Sequence, residues 1–192
     1  MDYLALHRDA LVIDSHNDTI VAHIRRERSV ATGQPALGRP VGTIAFTRGH
    51  YGMAESEYPI QIDLPKMRQG GIDAGFFAID VTLARHNHLA YALDGFGALF
   101  SDLEENRAEV VLVRRAADIL RAKAEGKPAI ILALEHADCT ERSLNILRAL
   151  YEVGVRSIGL THNVSSWAAD GCLEAREGVG LTAAGLAVGI LI

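Results

Sequence analysis

The chain has 192 residues, 49% of them hydrophobic and 22% charged, a balance that fits one globular core and leaves little for a second. Its formal net charge is −5, and no basic run is longer than pairs such as Arg25-Arg26 and Arg114-Arg115, which argues against nucleic acid as the main partner. Met1-Asp2-Tyr3-Leu4 offers no basic flank to an apolar core, no run approaches membrane-spanning length, and the two cysteines, Cys139 and Cys172, are too few for a disulfide framework. A reduced, cytoplasmic protein without signal peptide or membrane anchor is therefore expected.

Residues 2–9 read as a short lead-in helix with Leu4 and Leu6 available to pack. Residues 10–14 read as a strand buried on both faces, because the run is apolar throughout. It delivers the polar cluster Asp14-Ser-His16-Asn-Asp18. Side chains two apart in a strand share a face, so His16 and Asp18 would converge, and imidazole with carboxylate suits a borderline metal such as zinc. The plainer alternative is a polar turn after a core strand. Residues 20–27 then read as a helix, with Arg25, Arg26 and Arg28 outward and His23 at the surface or partly packed.

Glycines and prolines punctuate residues 29–58, which read as a long loop or excursion; His50-Tyr51 within it is given no role. Asp63 to Gly71 reads as one short helix, with Pro65 in its first turn and glycines ending it. A second doubly buried strand covers 74–81. His86 and His88 fit a loop or a helix start better than a chelating pair. Residues 89–107 form a long helical stretch in which Ser101-Asp-Leu-Glu104, resembling a capping box, leaves a break open. Val110 to Val113 is a brief extended segment, and 116–125 a helix stopped by Gly126 and Pro128.

The third strand, 129–134, ends in Glu135-His136-Ala-Asp138. On its own, Glu135 could equally be a capping or salt-bridging acid. A helix over 143–153 closes at Gly154, and a fourth strand over 157–161 delivers His162-Asn163. A loop bearing Trp167 and Asp170 ends near Gly180, and Thr182 can cap a last helix. Strand and helix thus alternate four times, with chemical side chains at the ends of strands 1, 3 and 4. In such parallel folds ligands gather outside the carboxyl ends of the strands. A barrel and an open doubly wound sheet both fit, but no glycine-rich phosphate loop follows strand 1, which counts against a nucleotide-binding sheet.

His16-Asn-Asp18, Asp63-Leu-Pro-Lys-Met-Arg-Gln-Gly-Gly with Gly75-Phe-Phe, Glu135, and Leu160-Thr-His-Asn163 with Trp167-Ala-Ala-Asp170 occur in this order. Together they resemble the membrane (renal) dipeptidase family, zinc dipeptidases of peptidase family M19, over essentially the whole chain. The resemblance implies an α/β fold, a (β/α)8 TIM barrel of the metal-dependent hydrolase kind. It implies His16 and Asp18 as ligands of one zinc, Glu135 as the carboxylate bridging two zincs, and His162 as the histidine contacting the scissile group. It implies hydrolysis of dipeptides by metal-activated hydroxide, a small dipeptide as the partner, and is compatible with a homodimer.

The pattern departs from the family in four respects. The second zinc is normally completed by two histidines on the next two strands, beyond Ile192, as are a substrate-binding arginine and an aspartate near the reacting water. Residue 136 is a histidine where small residues are usual. The 29–58 excursion is long. The final helix, 182–189, looks shortened, so that 189–192 reads as the stub of a fifth strand. Since a (β/α)8 barrel needs roughly 250 residues, the expectation is a single incomplete barrel domain over 1–192, about four βα units, truncated and possessing only part of the site. Two alternatives accompany it: another binuclear amidohydrolase-type enzyme acting on cyclic amides or lactones, and a catalytically dead fragment.

Overall fold

The computed structural model describes residues 2–36, 59–84, 86–174 and 180–191, with 189–191 described by backbone alone. In chain order they form α1 (Tyr3–Asp9), β1 (Ile13–Asn17), α2 (Thr19–Arg25), α3 (Leu64–Gly70), β2 (Ala74–Asp80), α4 (His88–Glu105), β3 (Val111–Leu112), α5 (Ala116–Ala124), β4 (Ala129–Glu135), α6 (Leu144–Val153), β5 (Val155–Gly159) and α7 (Ala183–Leu191). Short 3-10 turns follow β2 at Val81–Leu83 and β4 at Ala137–Thr140. Most of the 29–58 excursion, with His50-Tyr51, lies outside the described residues.

The strands pair in parallel. β2 lies between β1 and β4, while β4 carries β3 and β5 end to end along its other edge, β3 beside Ala129 and Ile130 and β5 from Leu132 to Glu135. β2 and β4 are nearly buried throughout, which accounts for their continuous apolar runs. Their register pairs Phe77 with Leu132 and Ile79 with Leu134, and these side chains join the main core. That core is closed by Ile20 and Val21 of α2, Leu64 and Met67 of α3, Tyr91, Phe96 and Leu99 of α4, and Leu150 of α6. Alternate residues point to the opposite face: Ala74, Phe76 and Ala78 of β2 beside Ala129, Ile131 and Ala133 of β4. α5 closes the beginning of that face, where Ala122 packs with Ala74, Ala129, Val111 and Val113. Followed to the strand ends, this second face terminates in Asp80 and Glu135, which are register partners.

Local chemistry sets the helix ends. The Asp63 carboxylate accepts from Lys66 N at 2.8 Å to start α3, and Gly71, at φ 67°, ends it in the left-handed region. Ser143 caps α6 through Ile146 N. Thr182 Oγ1 accepts from Gly185 N at 2.9 Å to start α7, as the sequence suggests. A side chain at Gly185 would collide with the Ala168 carbonyl, so glycine lets this helix lie against the loop after β5.

Several boundaries differ from expectation. The first strand covers Ile13–Asn17 rather than 10–14, and it is not doubly buried: Leu11 and Ile13 remain 41% and 40% exposed. β1 pairs only with β2 among the described residues, so an apolar run here marks a sheet edge. The last strand covers Val155–Gly159 rather than 157–161, which puts His162 in the loop beyond it. α4 runs through Ser101 without a break. Residues 189–191 continue α7 and are not the stub of a strand. His23 is 1% exposed, its Nε2 bonded to Ile62 O at 2.9 Å, so it belongs to the packed face of α2.

Candidate metal centre

β1 brings His16 to the site by an irregularity. Ile13 and Asp14 pair with Ala74 and Gly75, but Asn17 pairs with Phe77, so β1 spends one extra residue on the way. Such a bulge re-aims the side chains beside it. The strand ends at Asn17, and Asp18 occupies the N-cap position of α2 without making a side-chain cap. His16 and Asp18 do converge, at 3.4 Å between Nε2 and Oδ2, but through a bulge and a helix start rather than through strand alternation.

The other groups arrive from the strand ends. Glu135 closes β4 and turns its two oxygens to different imidazoles: Oε2 lies 3.7 Å from His16 Nε2, and Oε1 lies 3.7 Å from His162 Nε2. All four side chains singled out in the sequence therefore meet around one carboxylate. A fifth, Asp80, was missed there. It ends β2, is 7% exposed, and its Oδ1 accepts from Thr82 N at 2.8 Å and Thr82 Oγ1 at 2.6 Å. His16, Asp18 and Glu135 form one group with ligand atoms within 4.8 Å of one another, and Asp80, Glu135 and His162 form a second.

The loop carrying His162 is stapled to the turn carrying Glu135. Ala137 N donates to Leu160 O at 3.2 Å, Trp167 Nε1 donates to Ala137 O at 3.0 Å, and Trp167 N donates to an Asp138 oxygen at 3.2 Å. His136, 2% exposed, sets its Nε2 3.3 Å from Val164 O. Its φ of 83° lies where glycine is favoured, which explains why a small residue suits this position and a histidine is strained there.

Three carboxylates share this site, and the electrostatics record it. Burial raises the pKa of Asp18; the imidazoles of His16 and His162 pull it down, and the charge of Asp80 adds to the rise. Burial also raises that of Glu135, reinforced by Asp18 and Asp80 and opposed by His162 and His16. Asp18 Oδ1 is buried and accepts no hydrogen bond from the described residues. An orphaned carboxylate oxygen among mutually repelling acids and facing imidazoles is a donor set suited to a divalent cation, which supplies the positive charge the protein lacks there. The oxygen and nitrogen ligands fit zinc.

A parallel βα sheet with such a cluster at its strand ends defines the class of metal-site (β/α) barrels, in part of one barrel. The model of the membrane dipeptidase family, peptidase family M19, matches residues 2–188, and the chain belongs to that family. An uncharacterized dipeptidase of Schizosaccharomyces pombe is 33% identical over 113 residues, covering 53% of this chain and 27% of that protein. Among solved structures, dipeptidase AC, a metallopeptidase of family M19, is 24% identical with a TM-score of 0.67, covering 94% of this chain and 54% of that one. A metallopeptidase from Rhodobacter sphaeroides, liganded with a phosphinate mimic of the dipeptide L-Ala-D-Ala, is 23% identical with a TM-score of 0.66, covering 94% and 55%. The fold is thus that of the M19 barrels, and the chain spans about half the length of these structures. No described helix is long and apolar enough to cross a membrane.

Proposed function

We infer that this chain supplies the first half of the catalytic site of a zinc-dependent dipeptidase, with His16, Asp18 and Glu135 as ligands of one ion and His162 as a group facing the scissile bond. One observation carries the reading: a buried, unsatisfied Asp18 oxygen beside His16 and Glu135, at the strand ends of an M19 fold. Zinc at such a site supplies Lewis acidity, polarising a carbonyl and acidifying water.

The chain's own residues then have distinct tasks. His16 and Asp18, fixed by the bulge and the helix start, hold the ion from one side, and Glu135 holds it from the sheet. His162 lies on the other oxygen of Glu135 and is 40% exposed on its side chain, which leaves its ring accessible to a small substrate. An imidazole N–H there would donate to the carbonyl oxygen as that oxygen gains negative charge. Donors of this type are worth about 10²–10³ in turnover.

The test is a substrate panel of dipeptides, cyclic amides and lactones, offered to the purified protein with zinc and with a chelator. Zinc-dependent cleavage confined to dipeptides is expected, with turnover falling about 10²–10³-fold in His162→Ala while the ion at His16, Asp18 and Glu135 is retained. Cleavage of cyclic amides or lactones in preference would make the protein a different hydrolase. Zinc binding without any cleavage would make these 192 residues a binding module.

A further inference from the structure

His136 carries two costs that glycine would avoid. Its backbone stands at φ 83° and ψ 123°, a region that residues with a side chain rarely adopt. Its ring is buried, and Nδ1 has no hydrogen-bonding partner among the described residues. Strained residues of this kind persist where their surroundings impose them, and they gather at functional sites. What the ring touches is therefore informative.

The ring bridges two segments that carry site residues. His136 follows Glu135 directly in the turn after β4, and its Nε2 lies 3.3 Å from Val164 O, two residues beyond His162. A carbonyl oxygen only accepts, so this contact places a ring proton on Nε2. Among the described residues no other hydrogen bond reaches Val164 O. Nδ1 lies 3.6 Å from one oxygen of Asp138, beyond hydrogen-bonding reach, while the other oxygen accepts from Trp167 N at 3.2 Å. The same segment is held by residues further along the loop. Leu173 N donates to Asn163 O at 3.0 Å, and Gly171 packs so closely on Val164 that a Cβ there would overlap its carbonyl.

We propose that His136 is a positioning residue: by tying Val164 to the turn after β4, its ring holds His162 against Glu135 Oε1. The proposal rests on the role given to His162 above and adds the residue that sets its place. His136 acts through His162 and is assigned no contact with substrate or ion.

The experiment compares His136→Gly, which removes both ring and strain, with His136→Gln, which keeps a donor at a reach similar to Nε2. Trp167 is the sole tryptophan and lies in the loop that carries His162, its indole N–H bonded to Ala137 O, so its emission reports on that loop alone. In chelator, Trp167 of His136→Gly should emit further to the red and be quenched more readily by acrylamide. Added imidazole, which can refill the vacated space, should reverse the change, and His136→Gln should resemble the unsubstituted chain. With zinc and a dipeptide, kcat of His136→Gly should fall by about 10²-fold, the cost of a misplacement of about 1 Å, with KM and zinc content unchanged. His136→Gln should recover most of that loss. A ring that only fills space would lower the urea midpoint and leave kcat of the folded protein alone. His136→Asn, which tolerates positive φ but is too short to reach Val164 O, is the second variant where His136→Gly does not fold. Unchanged emission and quenching overturns the tie to Val164, and an altered loop with undiminished kcat overturns the positioning of His162. An unsubstituted chain that cleaves no dipeptide overturns the function proposed above, and the quenching comparison then decides the tie by itself.

Discussion

Asp80 and Glu135 are register partners at the last step of the β2–β4 ladder, so the sheet ends in two neighbouring carboxylates on the face opposite its main core. With Asp18 nearby, three acids are held at the tip of a sheet whose interior is almost entirely apolar. Such a site is a liability in a metal-free protein and an asset in a metal-bound one. Zinc should therefore stabilise the fold measurably: at a free concentration of a hundred times Kd, one site contributes about 2.7 kcal/mol. A melting temperature that rises with zinc and returns with chelator is the expected result. The same melt in Glu135→Gln should not respond.

Asp102 ties the chain after α2 to α4. It is 2% exposed and accepts from Ser29 Oγ at 2.7 Å, Val30 N at 2.6 Å and Ala31 N at 3.2 Å. Asp102→Ala strands buried donors and should cost about 2–4 kcal/mol, read from urea unfolding. Asp102→Asn, which keeps an acceptor oxygen, should cost less. Equal stability of both variants and the unsubstituted protein would remove this tie from the account.

His23 makes stability pH-dependent. Burial holds its pKa below the ordinary 6.5, and Nε2 bonds Ile62 O while Nδ1 is buried without a partner among the described residues. As pH falls below 6.5 the unfolded chain takes a proton that the folded chain refuses, so stability present above that value is lost with acidification. Each unit below the unfolded pKa costs about 1.4 kcal/mol until the native ring also protonates. In chelator, the urea midpoint should fall from pH 7.5 towards 5.5, and His23→Gln, which keeps a donor for Ile62 O, should flatten that fall. Identical slopes in the two proteins would contradict it.

The two cysteines should differ sharply towards a thiol reagent. Cys139 is fully buried, and burial, helped by the charge of Asp138, pushes its thiol up to about 12. Cys172 is exposed. At mildly alkaline pH the folded protein should label at Cys172 alone, and at both positions once unfolded, by mass spectrometry. Rapid native labelling of Cys139 would mean that the turn after β4 opens readily.

Much of this architecture is legible in the sequence where burial is symmetrical. β2 and β4 announce themselves as unbroken apolar runs because both faces are covered, and α3 and α6 carry their caps in their sequences. β1 and β5 were displaced because an edge strand mixes covered and open positions and lacks that signature. His16 and Asp18 were paired for the wrong geometric reason, since a bulge has no sequence signal of its own. Asp80 was hidden inside Ala-Ile-Asp-Val, although Ala74, Phe76, Ala78, Asp80 and Ala129, Ile131, Ala133, Glu135 repeat one alternation that ends both times in an acid. His23 lies three residues after Ile20, the helical spacing that puts it on the packed face of α2.

The central claim is that Glu135 is the carboxylate around which the metal site is built. Its most direct test is the zinc content, by elemental analysis after equilibrium dialysis, of the unsubstituted chain and of Glu135→Gln, a change that keeps the side chain's size and removes its charge. The account predicts zinc bound to the first and none above a denatured control in the second, with both proteins folded by circular dichroism. Equal zinc in the two would contradict it.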